Sequence, residues 1–114
     1  MAVEVRPSEL NAEVNVVALT GKLDMSTSDE DSAALLEGLE SSGRGIVIDM
    51  SGVDFLSSSG LRLLLSAYQK AEATDKQMPL IRVHPMVYKI FKVSALDSKF
   101  QFFQSEDEAL ALFQ

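Results

Sequence analysis

A chain of 114 residues has room for one hydrophobic core, since single domains cluster at about 100–150 residues. Apolar residues make up 46% and charged residues 24%, the balance of a folded globular protein; 17 Asp plus Glu against ten Lys plus Arg leave a net charge of −7, which argues against binding to a phosphate backbone. Cysteine is absent and His84 is the single histidine, so disulfides, thiolate zinc sites, cysteine nucleophiles and multi-histidine metal sites are excluded.

The first residues, Met1 to Pro7, lack the basic region and apolar run of a signal peptide, and the longest apolar runs fall short of the ~20 residues of a membrane span. The expectation is one cytoplasmic domain, residues 1–114, with neither nucleic acid nor membrane as partner.

Val3 and Val5 alternate with polar neighbours, and after a polar break at Ser8 to Glu13 a β-branched run extends from Val14 to Leu19, bounded by Thr20-Gly21. These segments read as the two strands of a hairpin. Ser26, Thr27 and Ser28 each precede an acid by three residues, and Leu35, Leu36 and Leu39 follow at helical spacing, so a capped first helix ends near Ser41-Ser42-Gly43. The nearly continuous apolar run Ile46-Val47-Ile48-Asp49-Met50 suits a central strand buried on both faces.

A loop from Ser51 to Ser59 leads into a second helix, from about Ser59 to about Ala73, on which Leu61, Leu64, Leu65 and Tyr68 share a stripe. Leu80 to Val83 reads as another strand. Pro85 then opens a third helix as its first residue, ahead of Met86, Ile90 and Val93, with Val87 and Phe91 beside them. Phe100 to Phe103 is a last short strand, and Ser105-x-x-Glu108 is a capping box for a terminal helix carrying Ala109, Leu112 and Phe113 on one face. Alternating strands and helices imply an α/β fold: a mixed sheet with parallel central strands, the N-terminal hairpin, and one main layer of helices, each with one apolar stripe and one polar face.

The chain lacks a G-x-x-x-x-G-K-[ST] phosphate loop, a G-x-G-x-x-G after a strand, a G-x-S-x-G elbow and an H-E-x-x-H pair. His84, just ahead of Pro85, reads as a cap or surface imidazole and not as a base. The acid clusters Asp29-Glu30-Asp31 and Glu106-Asp107-Glu108 fall in first turns, where acids favour the helix dipole. Catalytic residues, metal ligands and cofactors are therefore not expected, and general acid or base chemistry at Asp24 or Asp49 has no nucleophile–base pair to support it.

The segment from Ile48 to Leu61 stands apart, because it joins the central strand to a helix through Ser57-Ser58-Ser59, where α/β domains gather their ligands and partners. On physical grounds one of these serines is an N-cap and the others are turn residues. A phosphate at that helix start would also be tolerated by the fold.

This stretch resembles the signature of the bacterial anti-sigma-factor antagonists of the STAS-domain family: an aliphatic strand, D-x-S, a hydrophobic pair, then D-S-[ST]-G opening a helix. Here it reads Ile46-Val47-Ile48-Asp49-Met50-Ser51, then Phe55-Leu56-Ser57-Ser58-Ser59-Gly60. Gly21-Lys22-Leu23-Asp24 is similar to the family's G-x-L-D, His84-Pro85 to its N-P, and Val93 to Phe100 to its T-G-L-D-x-x-F. Two positions depart from the pattern: Ser57 stands for the aspartate before the phosphorylated serine, and Ala95 for the glycine of T-G-L-D.

The resemblance implies a non-enzymatic switch. Unphosphorylated, it would bind an anti-sigma factor that is also a serine kinase; phosphorylation at Ser58, with Ser57 as the alternative, would break the complex, and a phosphatase would restore it. Asp24, Asp49, Ser57, Ser58, Ser59 and Gly60 are the implied partner-binding residues. The alternative with the same fold is a permanent docking subunit of another assembly, such as a lipid-transport ATPase, without a phospho-switch.

Overall fold

A computed structural model of the chain describes residues 2–23 and 29–113. Strands β1 (Ala2–Pro7) and β2 (Val14–Leu23) form the expected antiparallel hairpin, with Val3 opposite Leu19 and Val5 opposite Val17. β3 (Gly45–Leu56), β4 (Leu80–Ile81) and β5 (Phe102–Phe103) each follow a helix and run parallel to β2, giving a five-stranded mixed sheet in the order β1-β2-β3-β4-β5. Helices α1 (Asp29–Glu40), α2 (Ser58–Ala73) and α3 (Pro85–Val93) cover one face, where Leu35, Leu39, Leu61, Leu64, Val87 and Phe91 join Val17, Ile46 and Ile48 in one core.

The terminal helix α4 (Glu106–Leu110) and a 3₁₀ turn (Ala111–Phe113) lie on the opposite face, burying Val14, Val16, Val47 and Ile81 beneath Ala109, Leu110 and Phe113. One main layer of helices is therefore complemented by a small second cover. Period-2 alternation requires it, because Ile46 and Ile48 point one way and Val47 the other, and all three are fully buried.

The strand boundaries differ from the sequence reading in both directions. Ser51 to Leu56, expected in a loop, continue β3 and pair with a β2 that itself runs past Gly21 to Leu23; Val53 and Leu56 are buried there. The register slips between Ala18 and Thr20, and a Cβ on Gly52 would fall 2.6 Å from the Thr20 methyl and 2.9 Å from the Leu19 carbonyl oxygen. Ser51-Gly52 thus marks a bulge at a close approach of two backbones and not the end of a strand. β4 stops two residues early, because Arg82 turns into the left-handed region (φ 53°) and His84 is already the N-cap of α3. β5 is also shorter than expected: Phe100 is buried in the core ahead of it.

Both α2 and α3 end in Schellman motifs. In α2, the Lys76 N–H donates to the Ala71 carbonyl (2.8 Å) and the Asp75 N–H to that of Glu72 (3.2 Å), with Asp75 at φ 62°. In α3, Leu96 donates to Phe91 (2.9 Å) and Ala95 to Lys92 (3.1 Å), with Ala95 at φ 60°. The residue in place of the motif glycine therefore occupies the conformation that favours glycine.

The Lys76 ammonium donates to the carbonyls of Leu39 (2.9 Å) and Glu40 (3.3 Å), bringing positive charge to the end of α1, which has no basic residue in its own last turn. The cap expected at Ser26 to Ser28 lies outside the described residues. At α4, Ser105 Oγ accepts the Glu108 N–H (3.2 Å), so the expected cap is present.

Helix α3 departs from the one-stripe expectation. Val87 and Phe91 are buried, while Met86, Ile90 and Val93 lie on the outside at 59%, 36% and 86% exposure.

Candidate functional site

Of the three adjacent serines, Ser57 is the N-cap of α2. Its backbone is extended (φ −89°, ψ 173°), its Oγ accepts the Gly60 N–H at 3.1 Å, and its carbonyl accepts the Leu61 N–H at 2.9 Å. Ser58, Ser59 and Gly60 are consequently the first three helical residues, one position earlier than the spacing of leucines suggests. Ser58 is exposed, Ser59 half-buried and Gly60 buried. Serine and aspartate are about equally good N-caps, so Ser57 performs the local task of the aspartate it replaces while leaving the first turn of α2 without an acid. The result is an exposed hydroxyl on Ser58 at the positive end of a 16-residue helix dipole.

The approach to this hydroxyl is a ribbon formed by the ends of β2 and β3. Leu23 pairs with Leu56 and Lys22 with Phe55; the Lys22 ammonium lies 5.9 Å from the centroid of the Phe55 ring, which is 46% exposed. Spacing alone does not mark this pair, because Ser51 to Ser59 reads as a loop and the register that sets Lys22 opposite Phe55 exists only in the extended ribbon. Asp24, the next residue after Leu23, lies outside the described residues.

Asp49 is held elsewhere. Its Oδ1 accepts the Ser51 N–H (3.0 Å) and its Oδ2 accepts from Arg82 Nη1 (3.3 Å), across the register in which Asp49 faces Ile81 of β4. It lies seven positions before Leu56 along β3, on the order of 20 Å of extended chain. The structure therefore brings Ser57, Ser58, Ser59 and Gly60 together but not Asp49. What Asp49 does locally is stabilise the turn of backbone at the bulge and hold the guanidinium that follows from the left-handed Arg82.

His84 caps α3, its Nδ1 accepting the Met86 N–H at 3.2 Å, with Pro85 as the first helical residue as expected. Glu106 ties the end of β1 to α4 through Arg6 (3.0 Å) and the hydroxyl of the buried Ser8 (2.9 Å). Among the described residues, no group of three or more His, Cys, Asp or Glu could hold a metal ion, and no helix is long and apolar enough to cross a membrane.

The arrangement is suited to recognition by another protein: an exposed residue, Ser58, on a capped helix start, three positions after a half-exposed aromatic ring that a lysine faces. Known proteins with the same fold bear on what it recognises. The STAS-domain family model matches residues 7–109. The anti-sigma F factor antagonist of Paenibacillus polymyxa is 29% identical over 98 residues, 85% of this chain and 84% of its own length. A Bordetella bronchiseptica protein named as an anti-sigma factor antagonist, BtrV, is 25% identical over 99 residues, 87% of this chain and 85% of its own. The crystal structure of an anti-sigma factor antagonist from Mycobacterium paratuberculosis superposes with a TM-score of 0.82 at 27% identity, covering 97% of this chain and 92% of that one. With nearly the whole chain matched and the sheet order, crossovers and serine-led helix in place, the chain belongs to the STAS-domain family.

Proposed function

We propose that this protein is a cytoplasmic anti-sigma factor antagonist that works by partner exchange and catalyses no reaction itself. With Ser58 unmodified it binds an anti-sigma factor that is also a serine kinase, so that the sigma factor is released for transcription. That kinase, using its own ATP and magnesium, phosphorylates Ser58; the complex then separates, and a phosphatase resets the cycle.

The observation that carries this reading is the division of labour between neighbouring serines. The Ser57 oxygen is engaged in the cap and the side chain is half-buried, whereas the Ser58 hydroxyl stands exposed at the first helical position. A phosphate there adds about −1.5 to −2 charges to the partner-facing surface without opposing the helix that carries it. The antagonists to which the chain is similar support the choice of partner. Ser57, Ser59 and Gly60 belong to the same contact, and Asp24 and Asp49 are assigned to it by their positions in the family motifs.

The test is phosphosite mapping after incubation of the protein in extract of its source cells with ATP and magnesium. Cleavage after Arg44 and Arg62 releases one peptide holding Ser51, Ser57, Ser58 and Ser59, and fragment ions separate them. Phosphate on Ser58 is the expected result. Phosphate on Ser57 keeps the switch and moves its site, at the expense of the cap. An unmodified peptide, with the kinase active on a control substrate in the same extract, overturns the switch in favour of a permanently docked subunit.

A further inference from the structure

Helix α3 is apolar on two sides. Its inner side, Val87 and Phe91, is 1% and 0% exposed; its outer side carries Met86, Ile90 and Val93, three of the six exposed large hydrophobic side chains among the described residues. At 3.6 residues per turn the outer three, at i, i+4 and i+7, fall within an arc of about 60°. Lys89 lies about 40° beyond that arc and Lys92 about 100° beyond it on the same side, and the helix holds no acid.

The charges around it run against those of the whole protein. Lys89, Lys92 and Lys99, three of the chain's ten basic residues, lie between positions 83 and 99 together with a single acid, Asp97, although the chain has 17 acids in all; Arg82, just ahead of them, is paired with Asp49. A basic, apolar helix face on an acidic protein has a complement of definite chemistry: an apolar groove rimmed by carboxylates.

We propose that the outer face of α3 is a second contact surface for the anti-sigma factor, which presents such a groove to Met86, Ile90 and Val93 and carboxylates to Lys89 and Lys92. This rests on the partner proposed above and extends it from α2 to α3. The two helices are successive crossovers on the same face of a parallel sheet, so both start at the edge where the strands end. An interface of standard size, about 800 Å² per partner, is wide enough on a molecule of 31 × 27 × 25 Å to take in the start of α2 and the outer face of α3. Attraction at α3 and repulsion by a phosphate on Ser58 then act on one acidic partner surface: the first recruits it and the second releases it.

The same chemistry disfavours other occupants. An anionic bilayer is recognised by clusters of about four to eight Lys or Arg, against the three lysines between positions 83 and 99, and it would repel the acidic remainder of the molecule. A second copy docking α3 on α3 would set lysines against lysines.

The test is titration calorimetry of the chain with the kinase that modifies Ser58, comparing wild type, Ser58→Asp, Val93→Ser and the pair Lys89→Glu with Lys92→Glu. All the α3 substitutions are at exposed positions, and unchanged thermal unfolding verifies that each variant is folded. The expected result is a Kd weakened about tenfold or more by the charge reversal, with most of its salt dependence lost, and a smaller weakening by Val93→Ser.

If Ser58→Asp weakens binding while both α3 variants stay within about twofold of wild type, the α3 surface is overturned and the phospho-switch stands. If no variant alters binding, or no kinase is found, both readings fall. Sedimentation and flotation with phosphatidylglycerol vesicles cover the remaining occupants. A dimer lost on Val93→Ser, or vesicle binding lost on charge reversal, with the kinase complex unaffected, overturns the proposal and gives the face to a second copy or to a bilayer.

Discussion

Helices α2 and α3 occupy equivalent places in the fold, each a crossover on the same face of the sheet and each closed by a Schellman motif, yet they dispose of their apolar residues differently. α2 directs Leu61, Leu64, Ala67 and Ala71 into the core and leans Leu63, Leu65 and Tyr68 against it. α3 commits Val87 and Phe91 and leaves Met86, Ile90 and Val93 in solvent. Periodicity identifies a stripe, but the phase of a helix about its axis is fixed at its ends. For α3 that phase is set by the left-handed Arg82, the His84 cap and the fixed φ of Pro85, which together turn the less continuous apolar pair inward. An apolar stripe left outside by those constraints is available for binding, whereas one inside is committed to stability.

The sharpest way to break this comparison is to truncate one residue from each side of α3. Phe91 is fully buried, with its ring 5.2 Å from those of both Phe100 and Phe102 in edge-on geometry. Phe91→Ala should cost about 3–5 kcal/mol in urea unfolding, a large part of a small domain's total of about 5–15 kcal/mol. Val93→Ser should stay within about 0.5 kcal/mol of wild type. Similar losses from the two would mean that the outer stripe is structural, and the distinction between the helices would fail.

The starts of the helices differ as well, a serine hydroxyl capping α2 and an imidazole followed by proline capping α3. Ser57→Ala should lower stability by about 1 kcal/mol, while Ser57→Asp should match or slightly exceed wild type. A Ser57→Ala variant as stable as wild type would remove the cap, and with it the reason for choosing Ser58 over Ser57 as the modified hydroxyl.

Their C-terminal ends provide a subtler contrast. Asp75 and Ala95 hold the same left-handed position, but aspartate tolerates that conformation better than alanine. Ala95→Gly should therefore raise stability by up to about 1 kcal/mol, a shift of roughly 4 °C in Tm, and Asp75→Gly by less. The reverse order would mean that glycine's greater freedom in the unfolded chain outweighs the relief of strain in α3.

How much of this was legible in the sequence follows the same division between periodicity and ends. The hairpin, the central strand, the stripe of α2, Pro85 at the start of α3 and the cap at Ser105 all rest on spacing or on residues with one strong local preference, and they stand where expected. The site was legible as a place, because three serines between a buried strand and a helix have few alternatives.

Which of the three caps the helix was not legible, since any of them could and only the path of β3 decides. That path was itself concealed: Ser51-Gly52 looks like a strand end, and only the close approach of Thr20 reveals a bulge through which β3 continues. The same continuation separates Asp49 from the serines, although the motif suggests one surface. Arg82 gives no local sign of a left-handed turn, for it has neither glycine's freedom nor asparagine's preference for it.

The smallest expected effect bears most directly on the switch. Ser58 is the first residue of α2, whose first turn contains no acid, so a carboxylate there meets the positive end of the helix dipole without a like-charged neighbour in that turn. Ser58→Asp should stabilise the fold by about 0.3–1 kcal/mol at low ionic strength, and the gain should shrink as salt screens it. Urea unfolding at low and high salt measures both. If the substitution instead destabilises the domain, weaker partner binding by the same variant would reflect damage to α2 and carry no information about release. If it stabilises the domain while weakening the complex, the added charge acts across the interface: the helix tolerates the anion, the partner does not, and the difference between those two responses is the free energy available to drive the proteins apart.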